Sequence, residues 1–566
     1  MTQPMPTDLE IARDAKLRPI QEVAADMGVP SEYVELRGRE MAKISLDAIA
    51  AMGAPRAKYV LITATNPTPL GEGKTTTAVG LAQGFKYIDR QAVVSLRQPS
   101  LGPTFGIKGG AAGGGHSQVV PMEEMNLHLT GDFHAVTAAN NLIAALVDNH
   151  IYQGNQLSIG PDDVTWKRVL DVNDRTLRNI VTGLGGKING VPRETGFDIT
   201  AASEIMAILG LATDVHDLRM RLGRTLVGYD RHRQPVTADA IDAAGSAAVL
   251  LKDALSPNLL QTLEGTPAVV HTGPFANIAH GNSSIVGDYV GIRSGDYLIT
   301  EAGFGADIGA EKFFNIKCRA SGLAPDAAVV VTTVRSMKYH SGNHMIDAGV
   351  PLPESLLEEN PDDVAEGAAN LRRHIGIVRR HGVVPVVSIN AFPTDYASEH
   401  EVIAKVAESE GVRWAITQPH AEGGPGMVDL ARAVEEAAAE GSDFRLLYPD
   451  EMPLRDKIET IATEIYGAAA VKFDAAADRQ LKRYERLGWG HLPICMAKTQ
   501  SSLTDNASVL GAPEGWTLRI REVQASVGAG FILPLAGLIN RMPGLGATPA
   551  AHGVDIDEDG NVVGLS

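Results

Sequence analysis

Residues Tyr59 to Thr77, Tyr-Val-Leu-Ile-Thr-Ala-Thr-Asn-Pro-Thr-Pro-Leu-Gly-Glu-Gly-Lys-Thr-Thr-Thr, read as strand, phosphate loop and helix. Tyr59 to Thr63 is a short apolar, β-branched run bounded by turn formers, the pattern of a buried parallel strand. In the loop Thr68-Pro69-Leu70-Gly71-Glu72-Gly73-Lys74-Thr75, Gly71 and Gly73 can take positive φ and bring backbone N–H groups to an anion. A helix starting near Lys74 adds its positive N-terminal dipole. Lys74 then reaches the outer phosphates of a nucleotide and the Thr75 hydroxyl holds magnesium, as Gly-x-x-x-x-Gly-Lys-[Ser/Thr] requires. One position departs from that motif: its first glycine is Thr68. The alternative, a Gly-Lys turn that only caps a helix, leaves the proline-rich approach and the triple threonine unexplained.

Strands of the same kind extend this unit into a fold class. Ala92 to Leu96, Ala268 to His271, Tyr297 to Thr300, Ala327 to Val334, Val383 to Ile389 and Val412 to Ile416 alternate with helical segments. That alternation predicts an α/β fold: a mostly parallel, doubly wound, P-loop NTPase-like sheet covered on both faces. Residues 151–255 break the pattern and are expected to form an α+β insertion, with helices at Trp166 to Asn179 and Ser203 to Leu211 and a hairpin around Val227 to Pro235. The nucleotide-binding core is then discontinuous, 1–150 with 256–475, and 476–566 forms a small C-terminal domain with apolar runs at Leu492 to Met496 and Thr517 to Val523. Residues 8–53 read as helical, with a helix start at Pro30-Ser31.

A chain of 566 residues is long enough for roughly two to four domains. A hydrophobic content of 44% with 21% charged residues fits a globular protein that lies outside the membrane. The formal charge of −18 excludes a general nucleic-acid or anionic-membrane surface, so an anionic substrate must be met by a local cluster of Arg, Lys and N–H groups. Cys318 and Cys495 cannot make a disulfide framework and read as buried reduced thiols. The segment from Met1 to Glu10 has no apolar signal core, and no run reaches about 18 apolar residues, so the expected location is the cytoplasm.

The carboxyl ends of the core strands carry the chemistry. Arg97 ends the second strand, where doubly wound sheets bind ligands. Gly106 to Gly115 holds six glycines in ten residues around Lys108 and reads as either a second anion loop or a lid. Glu301 or Asp307 is the carboxylate expected to order magnesium. His271 and His280 either polarise a small substrate or are satisfied core histidines, and the second reading is the more economical. A guanine site would show Asn-Lys-x-Asp after a late strand. The sequence there is Ile389-Asn390-Ala391-Phe392-Pro393-Thr394-Asp395, which favours adenine.

The phosphate loop, Arg97 to Pro103, Pro274 to Gly281, Glu301 to Cys318 and Ala497-Lys498-Thr499-Gln500 together resemble the formate–tetrahydrofolate ligase family, over most of the chain. The family's own loop, Thr-Pro-x-Gly-Glu-Gly-Lys-Thr, carries Thr at the position of Thr68. The resemblance implies that ATP, formate and tetrahydrofolate give ADP, phosphate and 10-formyltetrahydrofolate through formyl phosphate. It implies Lys74 and Arg97 as catalytic groups, Arg97 holding formate, with Asp132 near the reacting groups. Phe304 and Trp414 are implied to sandwich the pterin, and a homotetramer is implied. Family members commonly read Arg-Glu-Pro where this chain has Arg97-Gln98-Pro99. That glutamate is implied in activation by a monovalent cation (K+ or NH4+), so Gln98 is expected to weaken the effect. A competing reading is a switch ATPase resembling partitioning or iron-protein ATPases, which leaves Arg97 and the aromatic residues without a role. A catalytically dead paralogue is disfavoured by the intact Lys74, Thr75 and Arg97.

Overall fold

The structure, a computed structural model, describes residues 6–106, 112–346, 350–537 and 539–565. Lys108, the centre of the glycine-rich tract and Met1 lie outside the described residues. Ten strands form the main path of the central sheet: β1 Val34–Leu36, β2 Ala42–Ile44, β3 Lys58–Ala64, β4 Ala92–Leu96, β5 Asn258–Thr262, β6 Pro267–Val270, β7 Tyr297–Glu301, β8 Ala327–Thr332, β9 Val384–Asn390 and β10 Arg413–Thr417. Their spatial order is β1-β2-β5-β6-β4-β7-β3-β8-β9-β10. From β6 to β10 every neighbouring pair is parallel, while β1, β2, β5 and β6 pair antiparallel at one side.

Alternation of side chains along β3 explains why the strand is apolar throughout. Tyr59 and Leu61 enter one core, with Val93, Leu298, Val330 and Val387. Val60 and Ile62 enter another, with Val94, Ile299, Val329 and Val386. Burial of both faces is the reason these strands carry no polar stripe. Each such aliphatic side chain contributes about 1.5–3 kcal/mol by leaving water. The helix after the phosphate loop, α1 Lys74–Lys86, covers the second face through Val79, Leu81 and Phe85. A later helix, Pro361–Arg380, covers the first through Leu371, Ile375 and Val378.

The chain passes from β3 to β4 across β7, which lies between them, whereas β8, β9 and β10 extend from the other side of β3. The carboxyl ends of β3, β4 and β7 therefore open on one crevice where the winding direction changes, the position at which such sheets take ligands.

Several local expectations are corrected. Residues 8–53 are not helical throughout: helices at Asp8–Asp14 and Ile20–Asp26 are followed by β1 and β2, and Ser31–Tyr33 is a single 3-10 turn. Pairing of β2 with β5 overrides the helical spacing there. Trp166 to Asn179 forms a short strand, Arg168–Leu170, and a 3-10 turn, Arg175–Leu177. Its polar side chains bind backbone instead of continuing a helix: Asp171 accepts from the Leu101 N–H, and Asp174 accepts from that of Thr176. Leu492 to Met496 makes an isolated bridge at Ile494 rather than a strand. The helix Glu204–Leu211, capped by Ser203, and the hairpin of Leu226–Asp230 with Pro235–Thr237 agree with the sequence reading. Both cysteines are buried and free. Among the described residues no helix is long and apolar enough to cross a membrane.

Candidate active site

The loop between β3 and α1 is held by its own glutamate. Glu72 is buried; its Oε1 accepts from the Thr68 N–H at 2.7 Å and its Oε2 from the Thr333 hydroxyl at 2.5 Å. The Glu72 carbonyl accepts from Asn390 Nδ2 at 3.1 Å. Gly73 precedes α1 with φ of +72°, and a Cβ there would stand 2.5 Å from Asn390 Nδ2, so any other residue would be strained and would displace Asn390. Positive φ falls on Gly71 and Gly73 and not on Thr68. Threonine can therefore replace the motif's first glycine without backbone strain, while its hydroxyl accepts from the Leu70 N–H at 3.3 Å. Lys74 and Thr75 open α1, whose first N–H groups have no helical partners, the arrangement that favours an anion.

The last residue of β7 meets this loop. Register pairs Glu301 with Ile62 of β3 and Thr300 with Ser95 of β4, which sets Glu301 between the ends of the two strands. Its Oε2 accepts from the Thr75 hydroxyl at 2.7 Å. Its Oε1 lies 3.3 Å from both Nε and Nη2 of Arg97. One buried carboxylate thus joins the phosphate-loop hydroxyl to the arginine of the neighbouring strand. The Arg97 contacts are long for charge-assisted bonds and its side chain is 23% exposed, so the fork can turn toward an incoming anion.

Around Arg97 lies a group of buried polar side chains that the described residues do not satisfy. Gln98 (both amide atoms), Thr272 Oγ1, Asn277 Oδ1, His280 (both ring nitrogens) and Asn282 (both amide atoms) have no hydrogen-bond partner among the described residues. The segments that carry them meet here: Gln98 N–H donates to the Thr272 carbonyl, Arg97 Nη1 reaches the Pro274 carbonyl, and Gly303 N–H donates to the Gly281 carbonyl. An orphaned buried polar group costs about 1–3 kcal/mol. Such a concentration at one place is what groups completed by water or ligand leave. Burial holds His280 well below the usual imidazole range, and the charges of Lys317, Lys312 and Arg97 add to the effect. The reading of His280 as a satisfied core histidine is therefore corrected. His271 does fit that reading, bonded to the Ser284 hydroxyl and the Ala254 carbonyl.

Comparison with known proteins decides between the readings that this geometry leaves open. A family model described as formate–tetrahydrofolate ligase matches residues 6–566. The chain belongs to the formate–tetrahydrofolate ligase family. It is 59% identical over 563 residues to a protein of that name from Saccharopolyspora erythraea, covering 99% of this chain and 100% of the relative. It is 60% identical over 572 residues to formate–tetrahydrofolate ligase 3 of Rubrobacter xylanophilus, and 56% identical over 562 residues to the ligase of Cutibacterium acnes, with 99% of this chain and 100% of each relative covered. The ligase family uses ATP, and with it magnesium.

The donor set fits that ion. The Thr75 hydroxyl and Glu301 carboxylate are hard oxygen ligands of the kind magnesium takes beside substrate phosphates. Asp307, the other carboxylate expected for this role, is instead fully buried against Lys498 at 2.9 Å. Asp132, the acidic residue implied near the reacting groups, is held by its neighbours. It forms a buried ion pair with Lys43 at 2.9 Å and accepts from Asn258 Nδ2 at 2.8 Å. Sequence reading missed Lys43 because nothing local marks a lysine inside an apolar strand as paired.

For the pterin the structure separates two residues that the resemblance joined. Phe304 follows β7 by three positions with φ of +62°, a conformation a bulky residue holds only where its surroundings enforce it. Trp414 is the second residue of edge strand β10, not its carboxyl end, and its Nε1 donates to Glu408 at 3.2 Å. Four strand steps, β7-β3-β8-β9-β10, separate the strand ahead of Phe304 from that of Trp414, about 19 Å at sheet spacing. Two rings stacked on one pterin stand about 7 Å apart at the usual contact distance, so the sandwich by this pair is corrected. Phe304→Ala is expected to raise KM for tetrahydrofolate by about 3–10-fold, the value of one stacked ring, with KM for ATP unchanged. Trp414→Ala should alter neither constant. Initial-rate measurements with each substrate varied check this, and a Trp414 effect confined to tetrahydrofolate would reinstate the pair.

Proposed function

We propose that this chain ligates formate to tetrahydrofolate with cleavage of ATP, giving 10-formyltetrahydrofolate, ADP and phosphate, and that it does so through formyl phosphate. The observation that carries this reading is the Glu301 carboxylate, shared between the Thr75 hydroxyl of the phosphate loop and the Arg97 guanidinium. It brings a nucleotide-phosphate site and a carboxylate-binding fork to adjoining strand ends, as phosphorylation of formate demands. A phosphate loop alone would serve any ATPase.

Formate is a poor acyl donor because hydroxide is a poor leaving group. In the first step a formate oxygen, held by the Arg97 fork, attacks the γ-phosphorus; the bond to ADP breaks and formyl phosphate forms. Lys74 and the loop N–H groups neutralise charge on the phosphoryl group in transit. Magnesium, when bound by Thr75, Glu301 and nucleotide oxygens, supplies further charge neutralisation. In the second step N10 of the folate attacks the formyl carbon, phosphate departs with the formate-derived oxygen, and N10 releases its proton. Arg97 holds the acyl phosphate during this step. Phe304 offers a face to the pterin.

The finer assignments belong to the same reading. The core is P-loop NTPase-like, divided as 1–150 with 256–475, 151–255 and 476–566. The ATP-binding residues are Thr68, Pro69, Leu70, Gly71, Glu72, Gly73, Lys74 and Thr75. The enzyme works in the cytoplasm as a homotetramer. The test is phosphate release from ATP with formate and tetrahydrofolate each omitted in turn. A ligase falls to background when formate is left out, whereas a switch ATPase ignores both omissions.

Gln98 bears on the monovalent cation. Gln98 is 2% exposed and its amide has no partner among the described residues, so Oε1 could serve as a neutral ligand to K+ or NH4+. A carbonyl dipole binds a cation more weakly than a carboxylate does, and Arg97 next to it opposes one. Activation by potassium should be weak, and Gln98→Glu should strengthen it, most clearly in KM for formate. Titration against a large inert cation checks this; identical strong activation of both proteins would refute it.

A further inference from the structure

Asn66 is the residue at which the chain leaves β3 for the phosphate loop, and it is fully buried. Every polar group it carries is engaged. Its N–H donates to Asn370 Oδ1 at 3.1 Å, and its Oδ1 accepts from Asn370 Nδ2 at 2.9 Å and from His374 Nε2 at 3.1 Å. Its carbonyl accepts from His340 Nε2 at 2.9 Å and from the Ser336 hydroxyl at 3.3 Å. Its Nδ2 donates to Asp307 Oδ1 at 3.1 Å. Both histidines have a defined tautomer. His340 Nδ1 accepts from the Gly511 N–H and His374 Nδ1 from the Ala306 N–H, so each Nε2 carries the proton and donates. Burial lowers the pKa of both, that of His374 to about 4, which keeps them neutral.

The second oxygen of Asp307 pairs with Lys498 Nζ at 2.9 Å, and neither side chain has any exposed surface. Lys498 also donates to the carbonyls of Thr499 and Ser502. Gly511 closes the arrangement, its carbonyl accepting from Asn370 Nδ2 at 2.8 Å. The segment 498–511 thus grips the entrance of the phosphate loop from the far end of the sequence. None of these groups belongs to the loop. Glu72 fixes the loop's interior, and Asn66 fixes where it starts.

We infer that Asp307 is a positioning residue for ATP, with Lys498 as its counter-charge: by orienting Asn66 the pair sets the position at which Lys74 and Thr75 meet the nucleotide, and makes segment 498–511 part of the nucleotide site. The inference rests on the phosphate-loop reading above. A displacement of 1 Å in a positioned group can cost about 10²-fold in rate, which gives a buried pair remote from the reacting atoms its leverage.

Removing Lys498 alone would strand a buried carboxylate, so the pair is changed together. Lys498→Met with Asp307→Leu removes both charges and the acceptor for Asn66. Lys498→Met with Asp307→Asn removes the charges and keeps the acceptor. Binding of magnesium-ADP to the full-length proteins is measured by calorimetry, alongside KM for formate. The Leu double variant is expected to bind about tenfold more weakly with KM for formate unchanged, and the Asn double variant to recover most of the affinity. A merely structural ion pair would make the two behave alike, and equal affinities in both would overturn the inference. Should the Leu variant fail to fold, Asn66→Ala decides alone: it removes the amide through which Asp307 acts while leaving the Asp307–Lys498 pair intact, and parental affinity there would overturn the proposal. Lys74→Ala is the control. If it binds magnesium-ADP normally the phosphate-loop reading fails, whereas if it alone is impaired only the positioning role fails.

Discussion

Lys74→Ala yields a folded protein whose ligation rate is lower by about 10³-fold, the scale of a cationic group lost from a phosphoryl transition state. Lys74 is the first residue of α1 and is only partly buried, so little packing depends on it. A positive charge at a helix N-terminus also opposes the helix dipole, an effect of about 0.3–1 kcal/mol. The alanine variant should therefore still show one cooperative thermal transition. Steady-state rates beside a melting curve check both halves. A folded variant with near-parental turnover would remove the phosphate loop from the account.

Arg97→Lys keeps the charge and is expected to lower kcat by about 10²–10³-fold, as when one donor is removed from a developing anion. The guanidinium presents Nε and Nη2 side by side toward Glu301, the same fork a formate or acyl phosphate would meet. An ammonium offers a point charge at one distance and cannot span two oxygens. KM for formate should rise with the loss in kcat, while KM for ATP moves little. A lysine variant at the parental rate would make Arg97 a structural partner of Glu301 and nothing more.

How far the sequence reveals this arrangement depends on the range of the interactions that build it. The segments β3 and β4 and the loop after β3 are legible because local signals coincide there: apolar β-branched runs, turn residues and a helix start. Glu301 is legible as one of two carboxylates, but only strand register selects it over Asp307. Asn66 is silent in the sequence, because its partners lie as far as 434 positions away and no local pattern announces them. Trp414 misleads for a related reason. The resemblance assigned it to the pterin as a residue at a strand end, and the strand's actual bounds, Arg413–Thr417, place it at the start instead. His280 misleads in the opposite direction, since burial suggests a satisfied core histidine and only the full set of neighbours exposes its missing partners.

The central claim is that formate is activated by phosphorylation where the Thr75, Glu301 and Arg97 side chains meet. Its most direct test follows the formate oxygen. If formyl phosphate forms and N10 displaces phosphate, one oxygen of formate must leave with the phosphate. Ligation run with 18O-labelled formate in unlabelled water is therefore predicted to yield inorganic phosphate carrying one 18O per 10-formyltetrahydrofolate formed. Unlabelled phosphate at full product yield, with the label retained in the formyl group or lost to water, would contradict the account.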